Sequence, residues 1–255
     1  MKTTWKDLWK NKAGRLTPSR LAVIATVLLG LSLALSACQN VAGFTQPSLV
    51  RVIDASYIAP AINVFITSQG SNVELAGNIG QGTITDYGTV PASAAALVKI
   101  TEVTSSKTIV SSNVTILGGH QHSIFLTDNG AAPNSYEVTV LEDQQVAAAG
   151  GHSAFRFLNQ APKTGAIDVY MVPSGTTLAN TIPIVTGLPV GGTAGYILFT
   201  SQSVTMVITP TGTTTPKYTS TALGLTGGEV RTVLIYDSQL TSNPPVFVTM
   251  ANDVN

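Results

Sequence analysis

Apolar positions fall in one long block near the start of the chain and in many short segments after it. The block runs from Leu21 to Leu35 and is almost wholly apolar. Downstream, Val, Ile, Leu and Thr segments are cut at turn-forming residues: Pro60, Gly70, Gly80, Pro91, Gly118-Gly119, Asn129-Gly130 and Pro133. Between these breaks the pattern predicts strands over 49–55, 61–67, 82–87, 95–103, 108–116, 121–127 and 136–141. Alternation is clearest where Tyr136, Val138 and Val140 interleave with Glu137, Thr139 and Leu141, and it is partial in 63–67. One buried and one wet sheet face produces such alternation. Strands spaced by about 8–12 residues with turn signals between them indicate a sandwich or barrel.

The same order of segments occurs twice. Arg51-Val52-Ile53-Asp54 with Ile62-Asn63-Val64-Phe65 matches Arg156-Phe157-Leu158-Asn159 with Ile167-Asp168-Val169-Tyr170, at an offset of 105. A second match sets Val90-Pro91 against Leu188-Pro189, offset by 98, and Lys99-Ile100-Thr101 against Leu198-Phe199-Thr200, offset by 99. A third, offset by 109, sets Gly118-Gly119 and Ser123-Ile124-Phe125-Leu126 against Gly227-Gly228 and Thr232-Val233-Leu234-Ile235, with Asp128 and Asp237 following. The expected class is therefore all-β, with two tandem immunoglobulin-like β-sandwich domains at 47–144 and 152–255. Residues 145–151, rich in Ala and Gly, are expected to be a linker with little packing. No Cys…Trp…Cys pattern places the repeats in the true immunoglobulin family.

The apolar block acquires meaning from its flanks. Six basic residues (Lys2, Lys6, Lys10, Lys12, Arg15, Arg20) precede it, and Leu35-Ser36-Ala37-Cys38 closes it. Basic, then apolar, then small is the layout of a secretory signal. With the only cysteine of the chain next in line, the segment resembles a bacterial lipoprotein signal with its lipobox. That resemblance implies cleavage of 1–37, a diacylglyceryl thioether on Cys38, acylation (palmitate among the chains) of the new amino group, and a lipidated tether at 38–46. A permanent transmembrane helix is the competing reading, but a 15-residue helix reaches about 22 Å against a hydrocarbon core of about 30 Å. Two or three acyl chains hold a protein on a membrane where one does not. Gln39 follows the cysteine, so the outer membrane is the expected home if the organism has two.

Cleavage also changes the charge. Residues 38–255 carry seven basic and twelve acidic side chains, although the full chain is formally neutral. A mildly acidic protein without Lys/Arg clusters cannot neutralise a polyanion, so nucleic acid is not an expected partner. With one cysteine no intrachain disulfide is available, and the fold must be held by buried apolar sheet faces.

The opening of each repeat resembles a known family. Leu49-Val50-Arg51-Val52-Ile53-Asp54-Ala55-Ser56, Ala59-Pro60-Ala61-Ile62-Asn63-Val64-Phe65 and Tyr87-Gly88-Thr89-Val90-Pro91-Ala92 resemble the DUF4397 domain. The second copy keeps Arg156-Phe157-Leu158-Asn159, Ala161-Pro162 and Ile167-Asp168-Val169-Tyr170. In the first copy Asp54 stands where the family usually has His, and Asn63 where it usually has Asp. The resemblance implies two tandem copies in a secreted or lipid-anchored bacterial protein, and it carries no catalytic residues.

Candidate chemistry is sparse. The three histidines, His120, His122 and His152, and the lack of a Gly-x-Ser-x-Gly turn offer little to a hydrolase. His120 and His122 would share a strand face and could approach one metal ion with Asp128 or His152, but the second copy has Glu229 and Arg231 there. The bland alternative is two half-exposed histidines after a Gly-Gly turn. Asp54, Asn159, Asn63 and Asp168 could offer oxygens to calcium, or make the local backbone bonds common for Asp and Asn at strand ends. Arg51 and Arg156 are expected to pair with an acid or to lie across a sheet face. Tyr57, Tyr87, Phe155, Phe157, Tyr170 and Tyr196 could line a carbohydrate site or fill cores. The Thr-rich 211–216 tract is expected to be an exposed hairpin loop. The expected function is thus a non-enzymatic cell-envelope lipoprotein, structural or adhesive, or binding a protein or glycan. The expected sites are Cys38 lipidation and no catalytic, cofactor or metal residue. The alternative is a periplasmic accessory lipoprotein with a small-molecule or metal site between the domains.

Overall fold

The computed structural model describes residues 46–129, 134–239 and 245–254; the leader and Cys38 lie outside them. The first eight strands are β1 (Ser48–Asp54), β2 (Ile62–Ser68), β3 (Ser71–Ile79), β4 (Gly88–Val90), β5 (Ser93–Glu102), β6 (Thr108–Ile116), β7 (Gln121–Asp128) and β8 (Tyr136–Glu142). The next eight are β9 (His152–Gln160), β10 (Ile167–Pro173), β11 (Val185–Leu188), β12 (Thr193–Thr200), β13 (Ser203–Pro210), β14 (Tyr218–Gly224), β15 (Val230–Asp237) and β16 (Val246–Asn252). Among the described residues a 3-10 turn at Leu178–Asn180 accompanies them, and no described helix is long and apolar enough to cross a membrane.

The two sets of strands are built alike, as two sandwich-like units. The first pairs sheet β4-β1-β7-β8 with sheet β3-β2-β5-β6, and the second pairs β12-β9-β15-β16 with β11-β10-β13-β14. Each strand of one unit thus has its counterpart eight strands on. β1 runs parallel to β7 and β9 parallel to β15, while the other pairings are antiparallel.

Side chains from Val50, Val52, Ile62, Val64, Ile66, Val98, Ile100, Ile124 and Leu126 fill the first core. Phe155, Phe157, Ile167, Val169, Met206, Ile208, Val233 and Ile235 fill the second. A third cluster joins Ile53, Ala55 and Phe125 of the first unit to Leu158 and Leu234 of the second. The sheets carrying β1 and β9 therefore face each other, and the order of layers is sheet, core, sheet, seam, sheet, core, sheet. This explains the weak alternation in the sequence. Nearly every residue of β1, β7, β9 and β15 is buried, because odd and even positions face different partners. Parallel strands covered on both faces read as continuous apolar runs.

Three expectations need correction. No strand is predicted over 71–79, yet β3 forms there; its composition is poor for a strand, but the two-residue turn Gln69-Gly70 (φ 50° and 78°) folds it back on β2. The predicted strand 82–87 contributes only an isolated bridge, Ile53 to Ile84, and β4 follows it. The match offset by 98 is not spatial: Val90 pairs with Ser48, whereas Leu188 pairs with Ile167. Position by position, Ile100 opposite Val64 corresponds to Ile208 opposite Val169. The 145–151 segment is also less free than expected, since Ala148 packs on Ala154 and Val230 and its N–H donates to Gly228 O at 3.3 Å.

Candidate functional site

The chemistry of the molecule concentrates in the seam. Arg51 on β1 and Arg156 on β9 occupy the seam-facing positions where the parallel pairing sets Ser123 and Thr232 beside them. The Arg51 guanidinium donates from Nε to Ser123 Oγ (2.7 Å), from Nη1 to Asn252 O (3.0 Å), and from Nη2 to Asp253 Oδ1 (2.5 Å) and Thr232 Oγ1 (3.1 Å). Arg156 repeats the arrangement in reverse. It donates to Asp143 Oδ1 (2.5 Å), Glu142 O (3.3 Å) and Thr232 Oγ1 (2.7 Å from Nη2). Each arginine thus takes the carboxylate that ends the other unit.

Hydroxyls complete the shell around both acids. Asp143 Oδ2 accepts from Ser123 Oγ and Tyr87 Oη, each at 2.7 Å, and Asp253 Oδ2 accepts from Thr232 Oγ1 (2.7 Å) and Tyr196 Oη (2.6 Å). The guanidinium carbons lie 4.8 Å from the Tyr87 ring centroid for Arg51 and 5.0 Å from that of Tyr196 for Arg156. Burial opposes the charge on Arg51, but Asp253 and Asp143 outweigh it and hold its pKa above the ordinary value. Burial, reinforced by the Asp143 charge, pushes the Tyr87 phenol up, so it remains a donor. The Tyr196 phenol is pushed up by burial, with Asp253 adding to the shift against Arg156. Two cations and two anions close on each other, and charges taken out of water are tolerated when paired and hydrogen-bonded in this way.

The other sequence candidates are dispersed. His122 is buried, Leu117 N–H donates to its Nε2 at 3.1 Å, and burial lowers its pKa, so it is neutral. His120 is half-exposed, with Nδ1 2.6 Å from Glu142 Oε1, and His152 Nδ1 lies 3.1 Å from Ala149 O. No three His, Cys, Asp or Glu side chains converge among the described residues. Asp54 and Asn159 each accept the N–H two residues on, from Ser56 (3.2 Å) and Ala161 (3.0 Å). Asn63 Oδ1 takes Asn78 N–H, and Asp168 takes Gly187 and Gly212 N–H. These are the turn-fixing bonds of the structural reading. Asp54 is the exception: its Oδ2 is buried without a partner, and burial, with the Asp128 charge adding, pushes its pKa up to about 7.

Of the aromatics, Phe155, Phe157 and Tyr170 are buried and Tyr87 and Tyr196 belong to the seam. Tyr87 also lines the rim of the seam, and Tyr57 opens on a cleft at the end of the first unit. This cleft, about 580 Å³, is lined by Tyr57, Ile58, Pro60, Glu102, Lys107 and Tyr136 among others, with Gln239 reaching in from the second unit. A second space of about 500 Å³ lies at the rim of the seam, where Arg51 and Asp86 supply its charged lining. The sequence named Arg51 and Arg156 but missed Asp143 and Asp253. Aligning the ends of the copies, Leu141-Glu142-Asp143 with Ala251-Asn252-Asp253, would have found them.

The fold and the seam define an all-β protein of two sandwich-like units. A DUF4397 domain ("Domain of unknown function") is found at residues 48–170, from β1 through the first three positions after the start of β10. No curated protein matches the chain. Among solved structures it is similar to a family CBM26 carbohydrate-binding module from Eubacterium rectale in complex with maltoheptaose, at 10% identity over 81% of this chain and 100% of that one, with a TM-score of 0.27. It is also similar to a leucine-rich repeat protein from Bacteroides thetaiotaomicron, at 13% identity over 74% of this chain and 26% of that one, TM-score 0.23. A third, described as a candidate cell-adhesion protein from Bacteroides eggerthii, has 12% identity over 82% of this chain and 96% of that one, TM-score 0.22. At such scores these likenesses are distant.

Proposed function

We propose that this chain is a non-enzymatic lipoprotein of the bacterial cell envelope. It would be anchored through lipid on Cys38 and would display two tandem DUF4397-like modules as one rigid binding or adhesive unit. The observation that carries this reading is the seam. Arg51, Arg156, Asp143 and Asp253 are used to fuse the two units, so the most reactive-looking cluster is structural. Its hydroxyls serve the same end, because Ser123 and Thr232 are fully buried and donate to carboxylates. A rigid block of sheets leaves loops and clefts for recognition, the usual division of labour in sandwich folds. The leader supports the anchor, and the repeated strand order supports the second copy.

Two measurements test the reading. Cys38→Ala is expected to lose the acyl mass of the processed chain and to leave the membrane fraction uncleaved at 37; retention of the acylated mass refutes the anchor. Full-length protein immobilised against envelope extract is expected to retain a protein or glycan. An empty eluate argues against a binding role.

A further inference from the structure

The cleft at the end of the first unit combines features that the fold itself does not require. Its floor is the β1–β2 connection, and that connection is held rigid. Asp128 accepts from Tyr57 N–H (2.8 Å) and from the Ser56 hydroxyl, while Ser56 Oγ accepts Ala59 N–H (2.9 Å) and Ile58 N–H (3.3 Å). From across the seam, Gln239 Nε2 donates to Tyr57 O (2.6 Å) and Ala59 O (3.3 Å), and Lys163 Nζ sits 5.6 Å from the Tyr57 ring centroid. A pre-set wall loses little freedom when a ligand arrives.

The lining mixes aromatic and aliphatic surface (Tyr57, Ile58, Pro60, Ile109, Tyr136) with polar groups, and its two charged side chains, Glu102 and Lys107, are of opposite sign. Glu102 is held ionised by the hydroxyls of Ser105 and Thr104, which lower its pKa. Such a surface favours a neutral ligand that offers C–H faces to rings and hydroxyls to a polar rim. The volume of about 580 Å³ lies within the range of about 300–1,000 Å³ common for small-ligand sites.

Tyr136 also packs against the first core, but comparison of the two units shows that the fold does not call for a tyrosine at that place. Tyr136 stands opposite Asp128, and the matching partner of Asp237 is Val246. Glu102 stands opposite Ile62, and the matching partner of Ile167 is Pro210. Where Asp128 takes the N–H of Tyr57, Asp237 takes that of Lys163 (2.5 Å). The second unit folds the same way with none of these side chains.

We infer that the Tyr57–Tyr136 cleft is a binding site for a short neutral glycan. This rests on the binding role proposed above and gives that role a place and a ligand class. The test is calorimetric titration of the full chain in detergent with soluble oligosaccharides of glucose (α-1,4 and β-1,4), xylose and N-acetylglucosamine. At least one is expected to bind, and Tyr57→Ala and Tyr136→Val are each expected to weaken it about tenfold, as truncation of a central aromatic anchor does. Tyr136→Val installs the side chain that the second unit carries at the matching position, and because Tyr136 also packs on the first core, an unchanged thermal midpoint is the check that the fold is kept. Ile182→Ala, at an exposed site on the second unit, is expected to leave affinity unchanged. Absence of binding across these sugars overturns the inference, as does binding indifferent to both tyrosine variants, or displacement by a peptide in place of sugar. If envelope extract still yields a partner when the sugars fail, the binding role survives and only the cleft assignment falls.

Discussion

Arg51→Met should be among the most damaging single substitutions outside the apolar cores. It removes the donors at 2.5 and 3.0 Å to Asp253 Oδ1 and Asn252 O, and leaves the Asp253 carboxylate fully buried with only Thr232, Tyr196 and the more distant charges around it. Breaking a buried pair by deleting one partner costs about 3–5 kcal/mol, because the remaining charge is uncompensated. The seam then holds Arg156 against two carboxylates, a net negative cluster in place of a neutral one. Urea denaturation followed by far-UV circular dichroism is expected to show that loss. Adding Asp253→Asn removes the stranded charge while keeping an acceptor for Thr232 and Tyr196, so the double variant should recover a coupling energy of about 2 kcal/mol or more. Arg156→Met with Asp143→Asn should give the mirror result. A single-variant loss below about 1 kcal/mol, or losses that simply add in the double variant, would show that the seam charges are independent and refute the reasoning.

Three further substitutions probe other points. Asp54 binds its proton more tightly folded than unfolded, with a pKa raised from 3.8 to about 7, so stability from this group is fullest below pH 4 and is lost as pH rises to 7. Asp54→Asn should therefore gain up to about 4 kcal/mol at pH 8 and almost nothing at pH 4, since a unit of pKa is worth about 1.4 kcal/mol; equal effects at both pH values in urea titrations would contradict it. Gly82 has φ +82°, and a Cβ there would overlap the Tyr236 phenol across the seam. Gly82→Ala should cost about 1–3 kcal/mol, whereas Gly80→Ala, with open space around it, should be close to neutral by thermal unfolding.

How much of this was legible in the sequence depends on the range of the interaction. Turn residues and the repeat of Arg51-Val52-Ile53-Asp54 as Arg156-Phe157-Leu158-Asn159 carried the strand-rich class and the doubling, because both are local patterns. Strand β3 escaped because Asn72, Glu74, Gly77 and Asn78 carry no strand preference; the turn before it and the hydrogen bonds of β2 fix it instead. The false match of Val90-Pro91 to Leu188-Pro189 arose because the connection after β10 is long where that after β2 is a two-residue turn. The extra residues carry Leu178, which packs on Tyr170, Val172 and Val207. In the site, a single arginine per copy was visible, but its acid lies 202 residues away for Arg51 and 13 for Arg156. No window on the sequence shows that crossing. The Tyr57–Tyr136 cleft was half visible, since Tyr57 was among the aromatics named and Tyr136 was read only as part of a strand.

The crossed arginines have the geometry of an isologous contact, in which the same patch on each side meets itself through a two-fold relation. Here both halves belong to one polypeptide, so no free partner has to be found and dilution cannot separate them. For a protein spread thinly over a membrane, as proposed above, that would be a practical difference: its working unit is assembled whatever the number of copies around it.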